Sequence, residues 1–305
     1  VMLFLLAHPE LPVSELEDAM RRFGCEEKMA AIASNPNCTD AMLRELFKSK
    51  KESVCREIAS NPSASPELLK LITALKLTST YLPLARNQNT PLSALRLISV
   101  ISKDPLVYET LSCHKHIMSN GPHELINVKH HQALKNVAEN CCLTTQEMAK
   151  LWQCGGTIRL ALLSNANLTA ALLKKFLSIA SDIKDIATIA KHPMLSQEAI
   201  VALSKHDDFA VVAGVAANPS APESLLDKLS CSTRGGIALA AASNAAVSAD
   251  ILHRLSLRQD VSVRVSVATH ENTEEKTLDL LSKDKADAVR LSLIHISEPT
   301  RPSQI

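Results

Sequence analysis

The feature that most restricts what this chain can become is a recurring motif, clearest at Ile58-Ala-Ser-Asn-Pro-Ser-Ala-Ser-Pro-Glu-Leu-Leu-Lys-Leu-Ile72. Its chemistry reads as a helix end, a turn and a new helix. Ala59 and Asn61 close one helical segment and Pro62 stops it. Ser65 suits an N-cap, and Pro66 and Glu67 suit a first turn. Leu68, Leu69 and Ile72 then start an apolar stripe. Related copies put Asn or His at positions His8, Asn35, Asn61, Asn87, His114, Asn140, Asn165, His192, Asn218, Asn244 and His270, spaced 25 to 27 residues apart. Eleven anchors with so little drift define a repeat of about 26 residues, so the chain is read as an array whose units touch mainly their neighbours.

Taking each anchor as position n, Ala stands at n−2 in eight of the eleven copies, which allows close approach of neighbouring turns. Large apolar residues recur at n+8 and n+11, as in Leu43 with Leu46, Leu95 with Ile98 and Leu252 with Leu255. A spacing of three places each pair on one helix face. Ser or Thr at n+3 or n+4 (Thr39, Ser65, Thr90, Thr144, Thr169, Ser196, Ser248, Thr273) is expected to cap the second helix. The segments before the anchors, such as Val211–Ala216 and Val263–Ala268, are rich in β-branched residues. Their fixed place in the repeat predicts short helices, 3₁₀ in part, rather than strands. Each unit is therefore a short helix, a turn and a longer helix, and the fold class is all-α. The pattern is least regular between 105 and 156, where the second helix restarts near Pro122 and Gly155-Gly156 marks a turn.

Composition supports the same reading. Aromatics are 3% of residues and apolar residues 46%, so the core must be Ala, Leu, Ile and Val between closely spaced helices. Net charge is +1, from 33 basic and 32 acidic residues, which removes any global attraction for nucleic acid or anionic membrane. No apolar run approaches the roughly 20 residues needed to span a bilayer. Eight cysteines without a regular framework read as a reducing compartment, and cytoplasm is the expected location. Position 1 is Val and opens inside a helix, so the N-terminus is read as an internal cut.

These residues carry a family resemblance. Val263-Arg264-x-x-Val267-Ala268-x-His270, and Ile58-Ala-Ser-Asn-Pro62 with Ser65-Pro-Glu-Leu-Leu69, resemble the leucine-rich repeat variant family over residues 1 to 290. The resemblance implies alternating α and 3₁₀ helices in a right-handed superhelical solenoid of about eleven two-helix repeats, and no defined activity. Two departures stand out. Val-Arg is kept only at Val263-Arg264 and Val289-Arg290, with Ile158-Arg159 close, and the unit is slightly longer than the family's. HEAT-like repeats are the sister class. An iron–sulfur cluster known at the head of one such protein has no counterpart here, because no Cys-x-x-Cys spacing occurs.

Candidate sites divide into three groups. The anchor side chains are assigned to structure, since Asn and His share the donor and acceptor capacity needed at a turn. Cys113, His114, His116, His123, His130, His131, Cys141 and Cys142 concentrate soft ligands in the irregular segment, but their spacings match no zinc pattern, and no metal or cofactor is assigned. A row of basic residues at n+9 or n+10 (Arg44, Lys70, Arg96, Lys150, Lys174, Lys228, Arg254) would align on stacked second helices as a docking surface for an acidic partner. The helix dipole also favours cations there. No phosphate loop, nucleophile elbow or paired-carboxylate motif appears among seven glycines' worth of turns, so no enzyme is expected. The expected function is a non-catalytic protein-binding scaffold. Nucleic-acid binding along the basic row, and the repeat region of a larger enzyme or sensor, are the competing readings.

The repeat predicts an anchor near 296, yet the chain reads Ile294-His-Ile296. Leu291-Ser-Leu-Ile-His-Ile-Ser-Glu-Pro-Thr-Arg301 closely resembles the conceptual translation of a transposase adapter used in sequencing libraries. Residues 291–305 are therefore expected to be a non-native tail, and the native gene to continue with further repeats after Arg290.

Overall fold

Proline, cap residues and tight turns cut the chain into helices of one to three turns, as the repeat requires. The computed structural model describes residues 2–22, 24–122 and 124–294, and these are 66% helical across the chain with no strand among them. The chain divides into two compact units, Val1–Asn167 and Leu168–Ile305. The division falls in the turn after Asn165 rather than in the irregular segment.

The first unit runs α1 (Met2–Leu6), α2 (Val13–Arg22), α3 (Glu26–Ala33), α4 (Asp40–Phe47), α5 (Glu52–Ser60), α6 (Pro66–Ala74), α7 (Tyr81–Arg86), α8 (Leu92–Ile101), α9 (Pro105–Ser112), α10 (Lys115–Asn120), α11 (His131–Asn140), α12 (Thr145–Trp152) and α13 (Gly156–Leu163). The second runs α14 (Ala170–Ile179), α15 (Ile183–Ala190), α16 (Gln197–Leu203), α17 (Phe209–Ala216), α18 (Glu223–Ser230), α19 (Gly235–Ala242), α20 (Ala249–Ser256), α21 (Val261–Ala268), α22 (Glu275–Ser282) and α23 (Asp287–Ile294). Odd-numbered helices precede the anchors and even-numbered ones follow them. Within the first unit each odd helix packs on the next odd helix, from α1 to α13, and α6 packs on α8. Within the second, α15, α17, α19, α21 and α23 form one layer and α18, α20 and α22 another.

Two expectations about the helices are corrected. The helices before the anchors are regular α-helices, mostly of eight residues, about as long as those that follow. Short 3₁₀ turns occur among the described residues at Thr78–Thr80 and Leu125–Asn127, so the α and 3₁₀ alternation implied by the family resemblance is absent. Burial is the reason. In α17, Val211, Val212, Gly214, Val215 and Ala216 are all buried, and tertiary packing overrides weak helix propensity. Gly214 lets α17 approach α15 so closely that a Cβ there would lie 2.5 Å from the carbonyl oxygen of Ala187. Aspartates supply N-caps to several odd helices: Asp104, Asp182, Asp208 and Asp260 each accept from the backbone two residues on.

The core pairs at n+8 and n+11 are buried as the pattern requires, with Leu229 and Leu278 only partly so. Thr39, Ser65, Thr144, Thr169 and Ser196 cap their helices, and Thr144 forms a full capping box with Glu147. Thr90, Thr273 and Ser248 do not. Thr90 and Thr273 instead turn inward and donate to Leu84 O and Val267 O, and Ser248 makes no cap bond. The position n+3 is a core position, also filled by Cys38, Ala64, Leu195, Ala221 and Val247. In the 291–305 stretch, Leu291 to Ile294 complete α23 with no break at Leu291, and the remainder lies outside the described residues.

Candidate interaction surfaces

Within each unit the anchors build a ladder of hydrogen bonds from one repeat to the one before it. The last carbonyls of a helix have no intrahelical donor, and the chain at Asn61 turns extended (φ −76°, ψ 126°), which leaves them facing the next repeat. A carboxamide brings two N–H groups and one acceptor. Asn35 Nδ2 donates to Leu6 O (2.9 Å) and His8 O (2.8 Å), and its Oδ1 accepts from Asn37 N (2.9 Å). Asn61 repeats this with Ala33 O (2.7 Å), Asn35 O (2.8 Å) and Ser63 N (2.9 Å), and Asn87 with Ala59 O, Asn61 O and Asn89 N. In the second unit Asn218 bonds Ala190 O and His192 O, and Asn244 bonds Ala216 O and Asn218 O. All of these asparagines are buried.

Histidine fills the place with one donor fewer. His114 Nε2 meets Asn87 O (3.2 Å) while Nδ1 accepts from His116 N (3.2 Å), and His270 does the same with Asn244 O (3.0 Å) and Asn272 N (3.1 Å). The ring that donates at Nε2 and accepts at Nδ1 is neutral. Burial holds the His114 pKa below its ordinary value, only partly opposed by the bond to Asn87. Nδ1 of His8 and of His192 likewise accepts from Glu10 N and Met194 N.

A second, outer ladder escaped the sequence reading. Position n+2 carries Asn37, Ser63, Asn89, His116, Ser220 or Asn272, each bonded to turn carbonyls of the preceding repeat. Asn89 Nδ2, for example, donates to Pro62 O (2.7 Å) and Ala64 O (3.3 Å). The recurring Asn or Ser two residues after the anchor was the available signal.

Asn140 is not an anchor, which corrects its assignment. It is exposed, and its Nδ2 donates to Asn136 O within its own helix (3.2 Å). Helix α11 runs one residue longer than the pattern, and buried Cys141 takes the anchor's extended conformation (φ −89°, ψ 151°). Asn165 accordingly donates to Ala138 O (2.7 Å) and Cys141 O (3.0 Å). Burial pushes the Cys141 thiol up to about 12. The soft-ligand cluster is dispersed. His130 caps α11 through Ala133 N, His131 Nε2 lies 2.7 Å from Thr157 Oγ1, and His116 bonds Thr90 O. Asn136 donates to Cys113 Sγ, and Asn167 to Cys142 Sγ. His123 lies outside the described residues, and among those described no three His, Cys, Asp or Glu side chains converge.

The basic row sits on even-numbered helices, with Arg44, Lys70, Arg96 and Lys150 in the first unit and Lys174, Lys228 and Arg254 in the second. The arginines are engaged locally: Arg44 with Asp40 (2.6 Å) and Ser65, Arg96 with Glu124 (3.8 Å), and Arg254 with Asp227. Lys70, Lys150, Lys174 and Lys228 are exposed and have no acid within 4.0 Å among the described residues.

The retained Val-Arg arginine is structural. Arg264 forms a two-point pair with Asp284 (2.6 and 3.0 Å) and donates to Arg258 O and Gln259 O. Arg159 donates to Trp152 O and stacks over its ring, 5.4 Å from the centroid.

The recurring helix pairs and their backbone ladders define a helical-repeat protein. No family model matches the chain, and no curated protein matches it. Among solved structures, one described as a leucine-rich repeat variant with a novel repetitive structural motif aligns at 16% identity and a TM-score of 0.47, covering 85% of this chain and 93% of that one. The crystal structure of an engineered protein aligns at 16% identity and a TM-score of 0.28, covering 96% of this chain and 92% of that one. The helical-repeat assignment rests on the ladders and not on these likenesses. No described helix is long and apolar enough to cross a membrane.

Proposed function

We propose that the chain is a non-catalytic scaffold that binds a protein partner through the outward side of its even-numbered helices. The observation that carries this reading is the division of labour among polar residues. Most of the Asn and His anchors are spent on backbone carbonyls between repeats, whereas Lys70 and Lys150 in the first unit and Lys174 and Lys228 in the second stand exposed with no acid within 4.0 Å among the described residues, Lys174 acting at longer range on Glu198. Within each unit, exposed cations on the even-numbered helices suit an acidic protein surface, whose encounter such charges steer. Changing these four lysines to Glu is expected to abolish capture of the partner in pull-downs while far-UV circular dichroism stays unchanged. Capture by the wild type should also weaken with added salt. Retained capture with an unchanged salt dependence would return these lysines to the helix dipole.

A further inference from the structure

In the first unit the even-numbered helix after His114 still packs on α8 but is the shortest of the even-numbered helices described. Helix α10 stops after six residues at Asn120, Gly121 turns into left-handed backbone (φ 85°), and the chain resumes as the 3₁₀ turn Leu125–Asn127. The missing helical turn leaves a groove of about 610 Å³ between the end of α8, the start of α9 and residues 127–130.

Its lining has two characters. Val100, Pro105 and Val128 make its apolar part; Val100 is 68% exposed, and Leu97, three residues earlier on the same face of α8, is exposed too. Lys103, between α8 and α9, and Lys129, just before α11, also line it; both are exposed, and neither has an acid within 4.0 Å among the described residues. Several other polar groups in the lining are already engaged. Glu124 is held by Arg96 at 3.8 Å, His130 caps α11 and faces Glu109 at 3.6 Å, and the Tyr108 hydroxyl donates to Ser102 O.

From this complementarity we infer that the groove is a docking site for a short acidic segment of a partner protein, one that sets an aliphatic or aromatic side chain on the apolar part and a carboxylate toward each lysine. The inference rests on the scaffold reading and names the partner's chemistry at one place. A single-stranded nucleic acid fits less well, because such sites stack bases on aromatic rings, and the two rings lining this groove, Tyr108 and His130, face each other with centroids 6.3 Å apart while the Tyr108 hydroxyl is bonded to Ser102 O.

Fluorescence anisotropy with two labelled probes tests it: a Gly-Ser dodecapeptide carrying Asp-Asp-Leu-Phe-Asp-Asp, and the same peptide with Lys in place of Asp. A ten-residue thymidine strand serves as the third probe. The acidic peptide is expected to bind the whole chain and the basic one not to. Lys103→Glu with Lys129→Glu is expected to weaken binding by at least about tenfold, since reversal turns two attractions into two repulsions. Val100→Asp should weaken it as well, and Lys205→Glu, at an exposed position outside the groove, should leave it unchanged. If the double reversal disturbs circular dichroism, Lys103→Ala with Lys129→Ala carries the test, with a smaller loss expected. No binding of the acidic peptide, equal binding by the double variant, or tighter binding of the thymidine strand would overturn the assignment. Failure here with lysine-dependent capture intact removes the groove alone, whereas failure of both removes the scaffold reading.

Discussion

The repeat anchored at Asn61 and the segment from His114 to Cys141 are made of similar parts, and they differ in what one residue can do. At Asn61 a carboxamide satisfies two carbonyls of the preceding repeat and one amide of its own turn. At His114 the imidazole reaches one carbonyl, and at Cys141 no side-chain amide is present at all. The irregular segment also loses part of its even-numbered helix, and there the groove opens. The lesson is that regularity here is maintained by polar bonds rather than by the apolar stripe alone. The apolar residues persist through the irregular segment, as Leu125 and Ile126 remain buried, while the ladder thins.

The sharpest way to break this comparison is to remove one anchor from each region. Asn61→Ala leaves Ala33 O, Asn35 O and Ser63 N without their partner in a buried place. It is expected to cost about 2 to 4 kcal/mol in denaturant unfolding. Asn140→Ala removes an exposed bond within one helix and should stay within about 0.5 kcal/mol. Equal costs at the two sites would show that the ladder does not stabilise the stack.

A second, smaller effect is a pH dependence at His114. The folded state needs a neutral ring, and its pKa is lowered from 6.5 while the unfolded chain keeps the ordinary value. Below that value the unfolded state binds more protons, so the contribution of His114 is intact above about pH 6.5 and is lost as pH falls through the folded pKa. His114→Asn restores a carboxamide with a second donor and no titration. Melting temperatures measured at pH 7.5 and 5.0 should converge in this variant relative to wild type. An unchanged pH response would show that the ring is not held neutral.

The smallest effect concerns the turns that leave the even-numbered helices. Regular repeats place Lys50 (φ 53°) and Lys76 (φ 55°) in left-handed backbone, whereas the irregular segment uses Gly121 and Gly155. Lys76→Gly removes the Cβ strain and is expected to gain about 0.5 to 1 kcal/mol in thermal or denaturant unfolding, net of the greater freedom of glycine in the unfolded chain. A loss of stability would mean that the side chain of Lys76 contributes more than its backbone strain costs.

The period, the helix pairs, the apolar positions and ten of the eleven anchors were legible in the amino-acid order, because each follows from the chemistry of a few adjacent residues. Pro62 ends a helix and Ser65 starts one wherever the chain is placed. The order could not say that Asn61 bonds the turn before its own, since the carbonyls it meets lie 26 and 28 residues away. Nor could it separate Asn140 from Cys141. A one-residue shift barely alters a 26-residue period, and burial of Cys141 against its neighbours decides which residue ends the helix. Thr90 and Thr273 read as caps for the same reason: the hydroxyl fits either role, and only the packed stack turns it inward. The groove depended wholly on tertiary structure, because Val100, Lys103 and Lys129 become one surface only when a neighbouring helix is too short to cover them.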